Sequence, residues 1–202
     1  MVDRIAVLTG DIVNSRKGNS ALITQKLREL LGKHGEHPYD WEIYRGDSFQ
    51  LKAAVSDALL IAFRIKSGIK TLGRFDVRIA IGIGNEDFCA ERVTESNGSA
   101  YVNSGTCFDF IQKQLLAIKS DDPEKDRMVN TMVELALLTA DNWTVSGSKV
   151  LEATMDHPEL SQSEIAATLN KSQSSISEAL NRAGYDEILK MIEQYKSIYS
   201  GK

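Results

Sequence analysis

Proline and cysteine are scarce in this 202-residue chain, with three of the first and two of the second. With 42% hydrophobic and 26% charged residues beside so little proline, collagen-like, low-complexity and wholly disordered chains are excluded. Two thiols, Cys89 and Cys107, cannot build a disulfide scaffold or a zinc ribbon, and they read as reduced core residues. There is no excess of basic charge either. The net charge is −4, from 24 basic and 28 acidic residues, so no global field draws the chain to nucleic acid or to an anionic membrane. The first apolar run, Ile5–Thr9, is far too short to span a bilayer and shows no signal-peptide layout. The expectation is a cytoplasmic protein without membrane contact. A chain of this length buries roughly 70% of its unfolded surface, enough for one large domain or a medium one plus a small one.

The N-terminal part carries a mixed α and β pattern. Residues 3–9 read as a continuous central strand ended by Gly10-Asp11, and residues 20–33 as an amphipathic helix. Residues 41–45 and 48–54 form strand-like pieces around Gly46-Asp47, a hairpin signal. A helix over 55–72 follows. Residues 75–83 then form a strand whose apolar set (Phe75, Val77, Ile79, Ile81, Ile83) lies on one face. The order β-α-β-β-α-β is a ferredoxin-like arrangement with sheet order 4-1-3-2. Residues 85–104 read as a long loop or irregular hairpin, and 105–119 as helical. Asp121-Asp122-Pro123-Glu124 is a helix-start signature for a helix carrying Met128, Met132, Leu135, Leu137 and Leu138. The expected organisation is an α+β domain over 1–120, a linker helix within 121–144, and an all-α domain over 145–202.

That last segment has a helix-turn-helix pattern. Ser161-Gln162-Ser163-Glu164 is a capping box. Ala166 is small enough for two helices to cross, and Asn170 can take the left-handed conformation of a tight turn. Ile165, Leu169, Ile176, Ala179 and Leu180 supply a shared core, and the second helix starts at Ser172. DNA contacts are expected from Lys171, Ser172, Gln173, Ser174, Ser177, Asn181 and Arg182. Gln and Asn can read adenine edges, and Ser can meet base or phosphate. The competing reading is a helical bundle that packs on the other domain or on a protein partner. The charge of 145–202, six basic and eight acidic residues, favours weak DNA binding by a monomer, and hence a dimer.

The N-terminal domain offers an acidic pair. Asp11 ends the first strand and Asp47 sits in the hairpin. Because the first and third strands neighbour each other, the two carboxylates come together. There they repel unless protonated or bridged by a cation, and Mg²⁺ with phosphate oxygens would suit them. The loop Ile12-Val13-Asn14-Ser15-Arg16 would cradle phosphates, with Arg45 as a further ligand contact. Simpler readings are an Asp11 turn cap, hairpin chemistry at Gly46-Asp47, or neutralisation of the acids by Arg16 and Arg45. His34, Glu36 and His37 read as a solvated loop, and His157 as a cation at a helix end. Gly82-Ile83-Gly84 is no dinucleotide fingerprint, and no serine has a placed histidine base. Neither cysteine has an activating lysine or histidine near it in sequence. Trp143 reads as a core or hinge anchor.

Three blocks carry a resemblance. Thr9-Gly10-Asp11-Ile12-Val13-Asn14-Ser15-Arg16, Arg45-Gly46-Asp47-Ser48-Phe49-Gln50 and Arg78-Ile79-Ala80-Ile81-Gly82-Ile83-Gly84 resemble the bacterial SatD family over nearly the whole chain. A C-terminal helix-turn-helix also occurs in that family. Over residues 3–115 the same blocks resemble, more distantly, class III nucleotide cyclases. The cyclase resemblance implies a metal pair at Asp11 and Asp47 and a ligand contact at Asn103, which stands at the family's Asn position. Four residues later, where those enzymes carry a charge-stabilising Arg, stands Cys107, and residues 41–44 offer no purine-reading lysine. Efficient cyclase activity is therefore not expected. The expected function is a cytoplasmic, DNA-binding transcriptional regulator, homodimeric by analogy, whose cyclase-like domain senses a nucleotide or other phosphorylated ligand with Mg²⁺. The alternatives are a metal-dependent nucleotidyl- or phosphoryl-transfer enzyme using Asp11 and Asp47, and a protein-interaction module without DNA binding.

Overall fold

A computed structural model describes residues 4–15, 20–111 and 114–200. Among them it is an α+β structure, with one five-stranded mixed sheet and eight α-helices. The strands are β1 (Arg4–Val13), β2 (Trp41–Tyr44), β3 (Ser48–Ala54), β4 (Asp76–Asn85) and β5 (Leu116–Lys119). The helices are α1 (Ser20–Gly32), α2 (Ala58–Lys70), α3 (Ser99–Phe110), α4 (Pro123–Ala140), α5 (Val145–Asp156), α6 (Gln162–Thr168), α7 (Gln173–Ala183) and α8 (Tyr185–Ser200). The sheet order is β2-β3-β1-β4-β5. Its first four strands follow the expected order, all pairing antiparallel, and β5 joins β4 in parallel.

Period-two alternation sorts the sheet into two faces. Ala6, Leu8, Phe49, Leu51, Ile79, Ile81 and Ile83 point to the side that α1 and α2 cover. Val7 and Ala80 point to the side that α3 covers with Ala100, Tyr101 and Cys107. Gly82 and Gly84 have a structural task here. A Cβ on Gly82 would lie 2.1 Å from the Ser104 amide nitrogen, and one on Gly84 2.6 Å from that of Ala100. The glycines let α3 lie directly on the strand.

Three sequence expectations are corrected. β1 runs to Val13, so Gly10 and Asp11 lie inside a strand rather than ending one. Residues 85–104 are not all loop: a short 3-10 turn occupies Val93–Glu95 and α3 begins at Ser99. Residues 105–119 are not one helix, because α3 stops at Phe110 and Leu116–Lys119 is a strand. A four-residue piece is too short for periodicity to tell strand from helix. Parallel pairing with Ile79–Gly82 decided it, and Asn130 of α4 closes its edge by bonding both Ile118 amide and carbonyl at 2.8 Å.

The C-terminal helices share the core of the sheet. One continuous apolar cluster runs from Leu8 and Phe63 through Trp143, Leu151 and Ile176 to Tyr195. Trp143 is a core anchor, donating its indole N–H to the Ala183 carbonyl at 3.0 Å. A buried ionic knot fastens α4 to α2 and β4. Lys66 Nζ pairs with Asp76 at 2.8 Å and Asp141 at 2.7 Å, and Lys70 Nζ pairs with Asp76 at 2.7 Å.

Candidate functional sites

The strand alternation that buries Ile79 and Ile81 turns Arg78 to the opposite face, and the β1–β4 register sets it directly across from Asp11. The result is a bidentate ion pair. Arg78 Nε donates to Asp11 Oδ1 at 3.1 Å and Nη2 donates to Oδ2 at 2.7 Å. The guanidinium also donates to the Ile111 carbonyl at 3.1 Å and lies 4.4 Å from the Phe108 ring centroid. Asp11 and Asp47 are neighbours along the backbone, since β1 and β3 are in register there and Ile12 N–H donates to the Asp47 carbonyl at 3.2 Å. The Asp47 carboxylate accepts from the Ser15 hydroxyl. Two carboxylates and a hydroxyl are the hard oxygen donors Mg²⁺ takes. Yet both Asp11 oxygens are occupied by Arg78, so as arranged the pair is an ion pair rather than a cation cradle. Among the described residues no group of three or more His, Cys, Asp and Glu could hold a metal ion.

The other expected ligand residues fare variously. Ile12 and Val13 are ladder residues paired with Val77 and Asp76, which leaves the turn after them, with Asn14 in the left-handed region at φ 67°, as the open part of the loop. Asn14 reaches the Arg74 carbonyl at 3.3 Å. Arg16 lies outside the described residues. Arg45 is exposed in the hairpin turn at φ 54°. Asn103 is buried and donates to the Ile83 carbonyl and to Asp121 Oδ1, both at 3.0 Å. Ile83 stands five residues along β4 from Arg78, roughly 17 Å in an extended strand. Asn103 therefore fastens α3 to the far end of β4. Cys107 lies under α3 against Ala80, where burial pushes its thiol up to about 11.

Sequence reasoning missed Arg78 as the partner of Asp11. The signal was present: a charged residue between Val77 and Ile79, in a strand whose other charged residue is Asp76 at its start. It also missed the neighbours of exposed Cys89, because Lys52 Nζ and Tyr39 Oη approach its sulfur at 3.5 and 3.2 Å from distant positions.

The second region is the pair α6–α7. The capping box is formed in both directions: the Ser161 hydroxyl accepts from the Glu164 amide, and the Glu164 carboxylate accepts from Ser161. Asn170 adopts φ 52° in the turn, and Ser172 caps α7 by accepting from the Ser175 amide at 3.2 Å. Ile165, Ala166, Ile176 and Leu180 are buried. A protein-family model described as SatD family (SatD) matches residues 4–197. The chain belongs to the SatD family. A search of curated proteins finds no match to it. In this SatD-family chain the polar positions of α7 stand clear of the core. Lys171, Ser172, Gln173, Ser174, Asn181 and Arg182 are exposed and Ser177 is half-buried. Gln173 Nε2 donates to Gln162 Oε1 at 2.8 Å across the two helices, and Arg182 meets Glu178 at 3.3 Å. Among the described residues no helix is long and apolar enough to cross a membrane.

Proposed function

We propose that this chain is a DNA-binding transcriptional regulator, in which α6 and α7 act as a helix-turn-helix and α7 enters the major groove. One observation carries the reading. Two short helices joined through a left-handed Asn170 bury Ile165, Ile176 and Leu180 and leave Gln173, Ser174 and Asn181 outward. Side chains of this kind can pair with base edges, while Lys171 and Arg182 meet phosphates. The acidic balance of the segment predicts modest affinity that falls steeply with salt. Fluorescence-anisotropy titration against a randomised duplex pool, followed by selection, tests this. Salt-sensitive binding should be found, Asn181→Ala should cost at least about 1 kcal/mol and relax one position, and Lys171→Ala should lower the salt slope by about 1. Absence of duplex binding at low salt removes the proposal.

The sheet domain is read as ferredoxin-like and cyclase-like, and as a sensor of a phosphorylated ligand. The order β2-β3-β1-β4 with α1 and α2 on one face supports this. The ion pair suggests how sensing would work. A ligand phosphate is a better partner for a guanidinium fork than for a carboxylate pair. Its arrival would draw Arg78 from Asp11 and free Asp11 beside Asp47 for the ligand's Mg²⁺. A thermal-stability titration with Mg²⁺ and nucleoside triphosphates tests the sensor. A rise in melting temperature that Arg78→Ala and Asp47→Ala both abolish is expected. No rise with any triphosphate would leave the domain a scaffold.

A further inference from the structure

We propose that the outward face of α4 is a dimerisation seam whose occupant is α4 of a second copy of this chain, laid antiparallel. The helix is apolar on two sides. Val129, Val133, Leu137 and Ala140 face the core. Met128, Leu135 and Leu138 face outward with 57%, 64% and 71% of their surface exposed. With Thr131 between them, the outward positions recur at alternating spacings of three and four. That is the spacing of helices paired along a seam, not of a helix that faces one core.

The occupant and its direction follow from two features. First, the two flanks of the seam differ. One carries Arg127, Glu134 and Asp141. The other carries Met132 and Thr139, which border a groove of about 470 Å³ walled opposite by Asn181 and Arg182 of α7 and by Ile188 and Met191 of α8. An antiparallel pair sets each flank against its own kind, charge on charge and groove on groove, whereas a parallel pair would lay Arg127 on Met132. Second, the charges run in complementary order. Pairing Met128 with Leu138 of the second copy brings Arg127 to Asp141 of that copy at both ends, and among the described residues Asp141 has only its Oδ1 committed, to Lys66. Glu134 then meets its own copy on the two-fold axis. At this register the two copies of α4 overlap over residues 126–140, about 22 Å, and a footprint two helices, or about 20 Å, wide buries roughly 900 Å² in total, in the range of weak interfaces. A weak dimer is expected. The seam does not rest on the DNA reading: Asn181 and Arg182 of α7 wall the groove that the pair brings together, so a dimer closed over it competes with duplex binding.

Sedimentation velocity on the full chain from about 1 to about 100 µM tests this. The wild type should show a monomer–dimer equilibrium. Leu135→Glu/Leu138→Glu should be monomeric throughout while keeping its melting temperature, since both positions are outward. Glu134→Gln should tighten the dimer by up to about five-fold by removing the axial repulsion. In a Cys89→Ser background, Met128→Cys and Leu138→Cys chains should cross-link when mixed and not when separate. A wild type that stays monomeric, a dimer that survives Leu135→Glu/Leu138→Glu, or self-cross-linking of Met128→Cys overturns the proposal. A dimer formed through α4 by a chain that ignores duplex DNA upholds the seam and removes only the regulator reading.

Discussion

Lys66 is almost fully buried, and a buried ammonium is tolerated only when paired. Asp76 serves both Lys66 and Lys70, so one carboxylate holds two cations in the core. Asp76→Asn should therefore cost about 3 kcal/mol or more, read as a lowered urea midpoint at unchanged slope. Exchanging Asp11 for Asn should cost much less, because its pair with Arg78 is partly solvated. His34 provides a pH test. Burial, reinforced by the Arg64 charge, lowers its imidazole from the ordinary 6.5 to about 4. The unfolded chain therefore takes up this proton at a higher pH than the folded one. The contribution to stability is complete above pH 6.5 and is lost as the pH falls toward 4. Urea midpoints measured at neutral pH and inside that window should differ less in His34→Gln than in the wild type.

At the level of single helices, the C-terminal caps are local devices. Ser161, Ser172 and Thr144 each accept from an amide in the first turn of the helix they open, and Gly184 closes α7 in the left-handed region at φ 66°. α6 has only seven residues, too few to hold without its cap and its packing. Ser161→Ala should cost about 1 kcal/mol in global stability and weaken any duplex binding, with far-UV circular dichroism and anisotropy as the two readouts. α4 teaches the opposite lesson. Its sequence shows five apolar positions without assigning them a face; Leu137 is buried while Met128, Leu135 and Leu138 are outward. A hydrophobic stripe says that a face wants cover, not which neighbour supplies it.

Across the whole molecule, the apolar cluster passes without a break from the sheet into α5–α8. Tyr195 of α8 donates to the Val55 carbonyl at 2.7 Å, and Arg64 of α2 donates to the Met155 carbonyl at 2.5 Å, so polar contacts cross the same junction. The expected consequence is cooperative unfolding. In Trp41→Phe, the fluorescence of Trp143 at the α4–α5 junction should report the same urea midpoint as far-UV circular dichroism of the whole chain. Two separated midpoints would mean that the helices unfold independently of the sheet. The ion pairs of Lys66 with Asp76 and Asp141 tie β4 and α2 to the end of α4 at the same junction.

Local chemistry was readable from the chain itself. The capping box, the left-handed Asn170, the start at Ser172 and the first four strands follow from side chains acting within a few residues. What no local pattern could supply was the partner across a gap. Arg78 meets Asp11 from 67 positions away, β5 is a strand only because β4 lies beside it, and Gly82 is glycine because the backbone of α3 crosses it. Periodicity and capping are short-range properties of one segment. Ion pairing, edge pairing and close backbone approach are properties of two segments, and they exist only once folding has brought both to the same place.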